Sequence, residues 1–135
     1  MADDKVTFEL VSPEALLVST EADMVVVPGM EGDFGVMPGH APLVSTVRPG
    51  VIDIHQGDRV EQRFFVSDGF AEVGAKGCTV LSREAIVVDD IDRSAVEARR
   101  KAAEADLRDA DDDGERAAAE TEIKICDAML AAVAA

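Results

Sequence analysis

Hydrophobic and polar positions alternate in short bursts through the first two thirds of the chain, then switch to a helical rhythm. The bursts are Thr7–Val11, Ala15–Thr20, Met24–Val27, Phe34–Met37, Leu43–Val47, Val51–His55, Val60–Ser67, Phe70–Val73, Thr79–Ser82 and Ala85–Val88. Period-two alternation over a few residues marks strands with one buried face. Turn residues divide the bursts, notably Pro28-Gly29, Pro49-Gly50 and Gly57-Asp58. The last of these fits a two-residue hairpin between the Ile52/Ile54 strand and its successor. About ten short strands with frequent turns predict a β-sandwich. No segment before residue 89 carries helical periodicity, which disfavours a doubly wound α/β fold.

From Asp89 onward the spacing changes. Asp90 and Asp92 are candidate N-caps, with Ser94-x-x-Glu97 as a competing capping box. Ala95, Ala98, Ala102, Ala105 and Leu107 predict a helix over about 91–110, and Asp111-Asp112-Asp113-Gly114 breaks it. A second helix is expected from about Glu115 to Val133, with Ala119, Ile123, Cys126, Leu130 and Val133 along one stripe. Two helices with a short polar joint make an antiparallel hairpin. The chain therefore reads as α+β, a β-sandwich over 1–88 followed by a helical hairpin over 89–135. Alanine supplies most of the hairpin's apolar surface and buries far less area than leucine. The hairpin is expected to close tightly and dock weakly, as a movable arm requires.

Composition narrows the partners. The chain carries 28 acids against 13 bases, a formal net charge of −15, which repels nucleic acid and anionic bilayers. No apolar run approaches the roughly 20 residues that span a membrane. Met1-Ala2-Asp3-Asp4 is acidic and lacks the character of a signal or transit peptide, so a cytoplasmic protein is expected. Cys78 and Cys126 stand alone and read as small buried hydrophobes.

Catalytic chemistry is sparse. His55 precedes a hairpin turn and reads as a surface residue; His40 either ties its loop to itself or faces a partner. Neither has a serine or cysteine in a nucleophile–base pattern, and no Walker-type loop occurs, so no cofactor is expected. A small β-sandwich hydrolase is correspondingly disfavoured. One other motif competes: Asp109-x-Asp111-x-Asp113-Gly114 with Glu120 satisfies the calcium-loop pattern, the Glu115 carbonyl completing the ligands. Arg116 stands where an apolar residue belongs, and no second loop exists to pair with it. A solvated turn is the favoured reading, with a calcium- or ligand-binding module as the alternative.

The most distinctive run is Gly32-Asp33-Phe34-Gly35-Val36-Met37-Pro38-Gly39-His40-Ala41-Pro42-Leu43. Its glycines and prolines specify a shaped loop rather than a pocket. It resembles the N-terminal signature of the epsilon subunit of bacterial F-type ATP synthases. Phe65-Val66-Ser67-Asp68-Gly69-Phe70-Ala71-Glu72-Val73 and Thr79-Val80-Leu81 match the same family further on, Asp68-Gly69 standing where a Gly-Gly pair is usual.

The resemblance implies a non-catalytic rotor subunit whose sandwich binds the gamma subunit and rests on the c-subunit ring. It implies gamma contact through Pro38, Gly39, His40, Ala41 and Pro42, and c-ring contact through Glu31, Gly32 and Asp33. It also implies a peripheral position on the cytoplasmic face of the bacterial inner membrane. Some relatives open the first helix with Ile/Leu-Asp-x-x-Arg-Ala, a pattern associated with ATP binding. Here Ile91 and Asp92 match, but Ala95 replaces the arginine that would bind phosphate. Arg93, Arg99 and Arg100 are the cations that remain near it. The family's hairpin is implied to reach the acidic beta subunit. Residues 115–135 hold only Arg116 and Lys124 against four acids, so weak or absent inhibition of ATP hydrolysis is expected.

Overall fold

The computed structural model describes residues 4–134, and the acidic start at Met1–Asp3 lies outside them. The chain divides into two compact units, Met1–Val87 and Val88–Ala135.

The first unit holds ten strands: β1 Val6–Val11, β2 Leu16–Ala22, β3 Met24–Gly29, β4 Gly32–Val36, β5 Leu43–Val47, β6 Gly50–Gln56, β7 Arg59–Val66, β8 Gly69–Val73, β9 Gly77–Ser82 and β10 Ala85–Val87. They form one curled sheet in the order β10-β7-β6-β3-β5-β8-β9-β1-β2, with β4 paired to β3. The β1–β9 pair is parallel and the other pairs are antiparallel. The predicted hairpin is present: Gln56 pairs with Arg59 across Gly57-Asp58, and Gly57 has φ 62°. A glycine with positive φ in the first central position is the type II′ pattern, whose twist matches the strands it joins.

Alternation determines what is buried. Val6, Phe8 and Leu10 of β1, Val25 and Val27 of β3, Ile52 and Ile54 of β6, Phe64 and Val66 of β7, and Val80 of β9 join one apolar cluster. Each such side chain, fully buried, contributes roughly 1.5–3 kcal/mol. Cys78 belongs to the same cluster, and burial pushes its thiol up to about 12, so it stays protonated and inert. At the end of the unit near the Gly57 turn, the Lys5 ammonium lies 2.6 Å from Asp23 Oδ1, and the Gly57 N–H donates to Asp23 Oδ2 at 2.5 Å. The Lys5 hydrogen bond, then that of Gly57, hold the Asp23 carboxyl below the usual carboxylate range.

In the second unit, a 3-10 turn at Val88–Asp90 leads into α1 Arg93–Arg108 and then α2 Asp113–Ala134. Asp92 is the N-cap, its Oδ1 accepting from the N–H of Ser94 at 3.0 Å and of Ala95 at 3.4 Å. Ser94 thus lies inside the helix, and the competing capping box does not form. The apolar stripes differ from those expected. On α1 the buried residues are Val96 and Ala103, while Ala95, Ala98 and Ala102 are exposed. On α2 they are Ala119, Ile125, Cys126, Met129 and Ala132, while Ile123, Leu130 and Val133 are half-buried. The two helices pack together through charge as well. Arg99 grips both carboxylate oxygens of Glu122, with Nη2 3.0 Å from Oε1. Arg100 reaches Asp127 at 2.6 Å and Glu104 at 3.3 Å. The Arg99 hydrogen bond holds the Glu122 carboxyl below its ordinary range, so this pair stabilises the hairpin above that range and loses its effect as pH falls through it.

Candidate functional site

The two loops singled out by sequence lie at opposite ends of one strand. Strand β4, five residues long, separates them by roughly 17 Å at ~3.4 Å per residue. At its start, Gly29 pairs with Gly32, leaving Met30 and Glu31 as the hairpin tip. Both are exposed, Met30 at 60 %. Arg48 braces this tip: Nη1 donates to the Gly29 carbonyl at 2.6 Å, and Nη2 lies 2.5 Å from Asp33 Oδ1. Asp33 therefore already has an internal cation, whereas Glu31 projects without an ion pair among the described residues. Sequence reading missed Met30 and Arg48, and neither sits within a recognisable motif.

At the far end of β4, the N–H of His40 donates to the Met37 carbonyl at 3.2 Å, closing a tight turn. The N–H of Gly39 donates to the Ala75 carbonyl at 3.0 Å, tying this loop to the β8–β9 connection. Nδ1 of His40 lies 2.7 Å from the Ala41 carbonyl oxygen. A carbonyl only accepts, so Nδ1 carries a proton in this contact. This contact ties the loop to itself, one of the two uses considered for His40. Ala41, Pro42 and Leu43 are exposed.

Beyond the loop, β5 enters the outer face of the sheet, where burial and register reveal what the sequence reading did not. Val44 is 68 % exposed, Phe70 of β8 45 % and Leu16 of β2 56 %. The pairings Thr46–Phe70, Phe70–Leu81, Leu81–Val11 and Val11–Leu16 line up one row across five strands, the last pair following a register shift, and Val44 stands two residues from Thr46 on β5. An apolar row left exposed on a sheet face is the mark of a docking surface rather than of a core.

The helical candidates resolve differently. The Asp92 carboxylate caps α1, and Ile91 donates its N–H to the Val88 carbonyl at 3.1 Å. Arg99 and Arg100, two of the cations near the absent motif arginine, are held by Glu122 and Asp127. Of the Asp109–Glu120 run, the residues from Asp113 onward belong to helix α2 rather than to an open loop. Its acids start that helix instead: Asp112 Oδ1 accepts from the Glu115 N–H at 2.7 Å, Glu115 Oε2 accepts from the Asp111 N–H at 2.9 Å, and Asp113 pairs with Arg116 at 2.7 Å. No group of three or more His, Cys, Asp or Glu among the described residues is placed to hold a metal.

The geometry is thus that of a sandwich with two shaped loops and an apolar outer face. Its sequence matches the family described as ATP synthase, Delta/Epsilon chain, beta-sandwich domain, over residues 5–88. The chain belongs to that family. The similarity extends through the helices. An ATP synthase epsilon chain of Paramagnetospirillum magneticum is 53 % identical over 131 residues, covering 97 % of this chain and 98 % of the relative. One from Rhodospirillum rubrum is 53 % identical over 125 residues, covering 93 % of each. Among solved structures, a chain of the Euglena gracilis mitochondrial ATP synthase, OSCP/F1/c-ring, superposes with a TM-score of 0.82 at 21 % identity, over 96 % of this chain and 82 % of that one. A chain of the Tetrahymena thermophila mitochondrial ATP synthase central stalk/c-ring gives a TM-score of 0.60 at 14 % identity, over 96 % of each. At these identities the structures speak for the fold alone. No helix among the described residues is long and apolar enough to cross a membrane.

Proposed function

We propose that this chain is a non-catalytic rotor subunit in the central stalk of an F-type ATP synthase, coupling the catalytic head to the membrane c-ring during proton-driven ATP synthesis. The observation that carries the reading is the exposed apolar face that continues from the Pro38–Pro42 loop through Val44 and Phe70, in a chain of the epsilon family. A permanent rotor contact needs such a face, and a solitary domain does not. On this reading Pro38, Gly39, His40, Ala41 and Pro42 border the gamma contact. The opposite tip, with Glu31, Gly32 and Asp33, meets the c-ring, and Met30 adds an apolar group there. The subunit sits peripherally on the cytoplasmic face of the bacterial inner membrane.

A binding assay between this chain and isolated gamma subunit tests the assignment of the two ends. Tight binding that His40→Asp weakens and Glu31→Lys leaves unchanged is the expected result. Failure of the unmodified chain to bind gamma would sink the rotor reading.

The hairpin unit is the regulatory arm of this reading, and its contact with the beta subunit is weak. Arg116 is already paired with Asp113, which leaves Lys124 as the cation of α2 without an ion pair among the described residues. Removing residues 89–135 from the assembled enzyme is expected to change ATP hydrolysis less than about twofold, within the range of a single surface ion pair. A several-fold rise in hydrolysis would show that the arm inhibits.

A further inference from the structure

We propose that the outer sheet face seats an amphipathic helix whose apolar stripe crosses the strands and whose one basic edge lies against Glu72 and Glu9. The proposal rests on the rotor reading and states what chemistry the docking partner presents.

The registers fix the seat. Thr46, Phe70, Leu81 and Val11 stand in one row, each on a different strand, and beyond a register shift Leu16 of β2 pairs with Val11 and is itself exposed. Neighbouring strands are about 4.8 Å apart, so the row spans roughly 19 Å, the length of about 13 helical residues. Because the row runs across five hydrogen-bonded strands on the face of the sheet, rather than along a sheet edge, it offers side chains and not a free backbone ladder. A helix laid along it meets side chains only.

The two flanks of that row differ in charge. One repeat along the strands, on one side, lie Val44, Glu72, Thr79 and Glu9, again in register, and Glu9 pairs with Ser19 of β2. Glu9, Glu72 and Thr79 line a groove of about 390 Å³ together with Gly77 and Lys76, the one cation in a lining that holds two carboxylates. Thr79 Oγ1 donates to Glu9 Oε1 at 3.4 Å, and neither glutamate has an ion pair among the described residues. On the other side, Asp68 and Arg83 neutralise each other at 3.5 Å. One edge therefore attracts cations and the other is indifferent. A helix with lysine or arginine along a single edge of its apolar stripe fits in one orientation, and turned over it loses its ion pairs. The apolar row supplies the adhesion, and the acidic row selects how the partner lies.

Titrating isolated gamma subunit against the full chain at about 50 mM and about 500 mM salt separates these contributions, because the screening length shortens between them. Phe70→Ala is expected to weaken binding about tenfold at both concentrations. Glu9→Gln combined with Glu72→Gln is expected to weaken it about fivefold at low salt and hardly at high salt. Asp68→Asn on the neutralised flank is expected to change nothing. If the glutamine pair binds as tightly as the unmodified chain at low salt while Phe70→Ala binds poorly, the basic edge is refuted and the apolar seat stands. If Phe70→Ala also binds normally, the seat is elsewhere. Absence of binding by the unmodified chain overturns the rotor reading itself, and this proposal with it.

Discussion

Replacing Gly69 by alanine is expected to destabilise the sandwich by about 3 kcal/mol or more, the upper range for overpacking. For a unit of this size that lowers the melting temperature by at least about 12 °C. Gly69 opens β8, paired to Val47 of β5 on one side and to Ser82 of β9 on the other. A Cβ built there would lie 1.8 Å from the Leu81 carbonyl oxygen and 2.8 Å from its carbon. Both are backbone atoms of a paired strand, so no side chain can swing aside, and β9 itself must move. The neighbourhood is also tightly tied: the Ser67 N–H donates to the Glu84 carbonyl at 3.0 Å and the Arg83 N–H to the Asp68 carbonyl at 2.9 Å. Gly74 is the control, because a Cβ there meets nothing within 4 Å and its φ lies outside the left-handed region. Gly74→Ala is expected to stay within about 0.5 kcal/mol of the parent, or to stabilise slightly by restricting the unfolded chain. Thermal melts of the two variants decide the matter, and a Gly69→Ala melt within a few degrees of the parent would refute the close approach.

The same site shows what a sequence can disclose. Asp68-Gly69 was legible as a turn within a family motif, but turn chemistry alone does not reveal a carbonyl lying across the glycine. Strands were legible because a one-residue slip would turn every apolar side chain outward, so the alternation had to be kept. The Gly57-Asp58 hairpin was legible for the same reason, with its turn type fixed by glycine. Helix faces were less legible. Alanine is equally at home on every side of a helix, so Ala95, Ala98 and Ala102 could not mark the buried stripe of α1. Val96 and the Arg99–Glu122 and Arg100–Asp127 pairs marked it, and such pairs join residues more than twenty positions apart. Likewise the Asp109–Glu120 run satisfied a ligand pattern while its backbone from Asp113 onward is helical. The outer apolar row was hidden because its members come from five strands. Phe70, Leu81, Val11 and Leu16 become neighbours only once the register is known.

Truncating Phe8 to alanine is expected to cost the sandwich about 3–5 kcal/mol, whereas the same truncation at Phe70 stays within about 0.5 kcal/mol. Phe8 is fully buried in β1, between β2 and β9, in a cluster where valine is the commonest residue. Valine is stiff about χ1 and cannot easily turn to fill a vacated ring, so most of the cavity persists. A loss of that size consumes much of the 5–15 kcal/mol typical of a whole domain, so Phe8→Ala is expected to populate unfolded chain near physiological temperature. Phe70 points the other way along its strand and keeps 45 % of its surface in water, so its removal empties no cavity. Urea denaturation of both variants, followed by the gamma-binding assay, separates the two roles of phenylalanine in this sheet. Phe8→Ala should lose stability in proportion to its lost packing, and Phe70→Ala should keep its midpoint while losing affinity. Equal destabilisation by the two truncations would mean that Phe70 holds the sandwich together, and the outer row would then be part of the core rather than a surface for a partner.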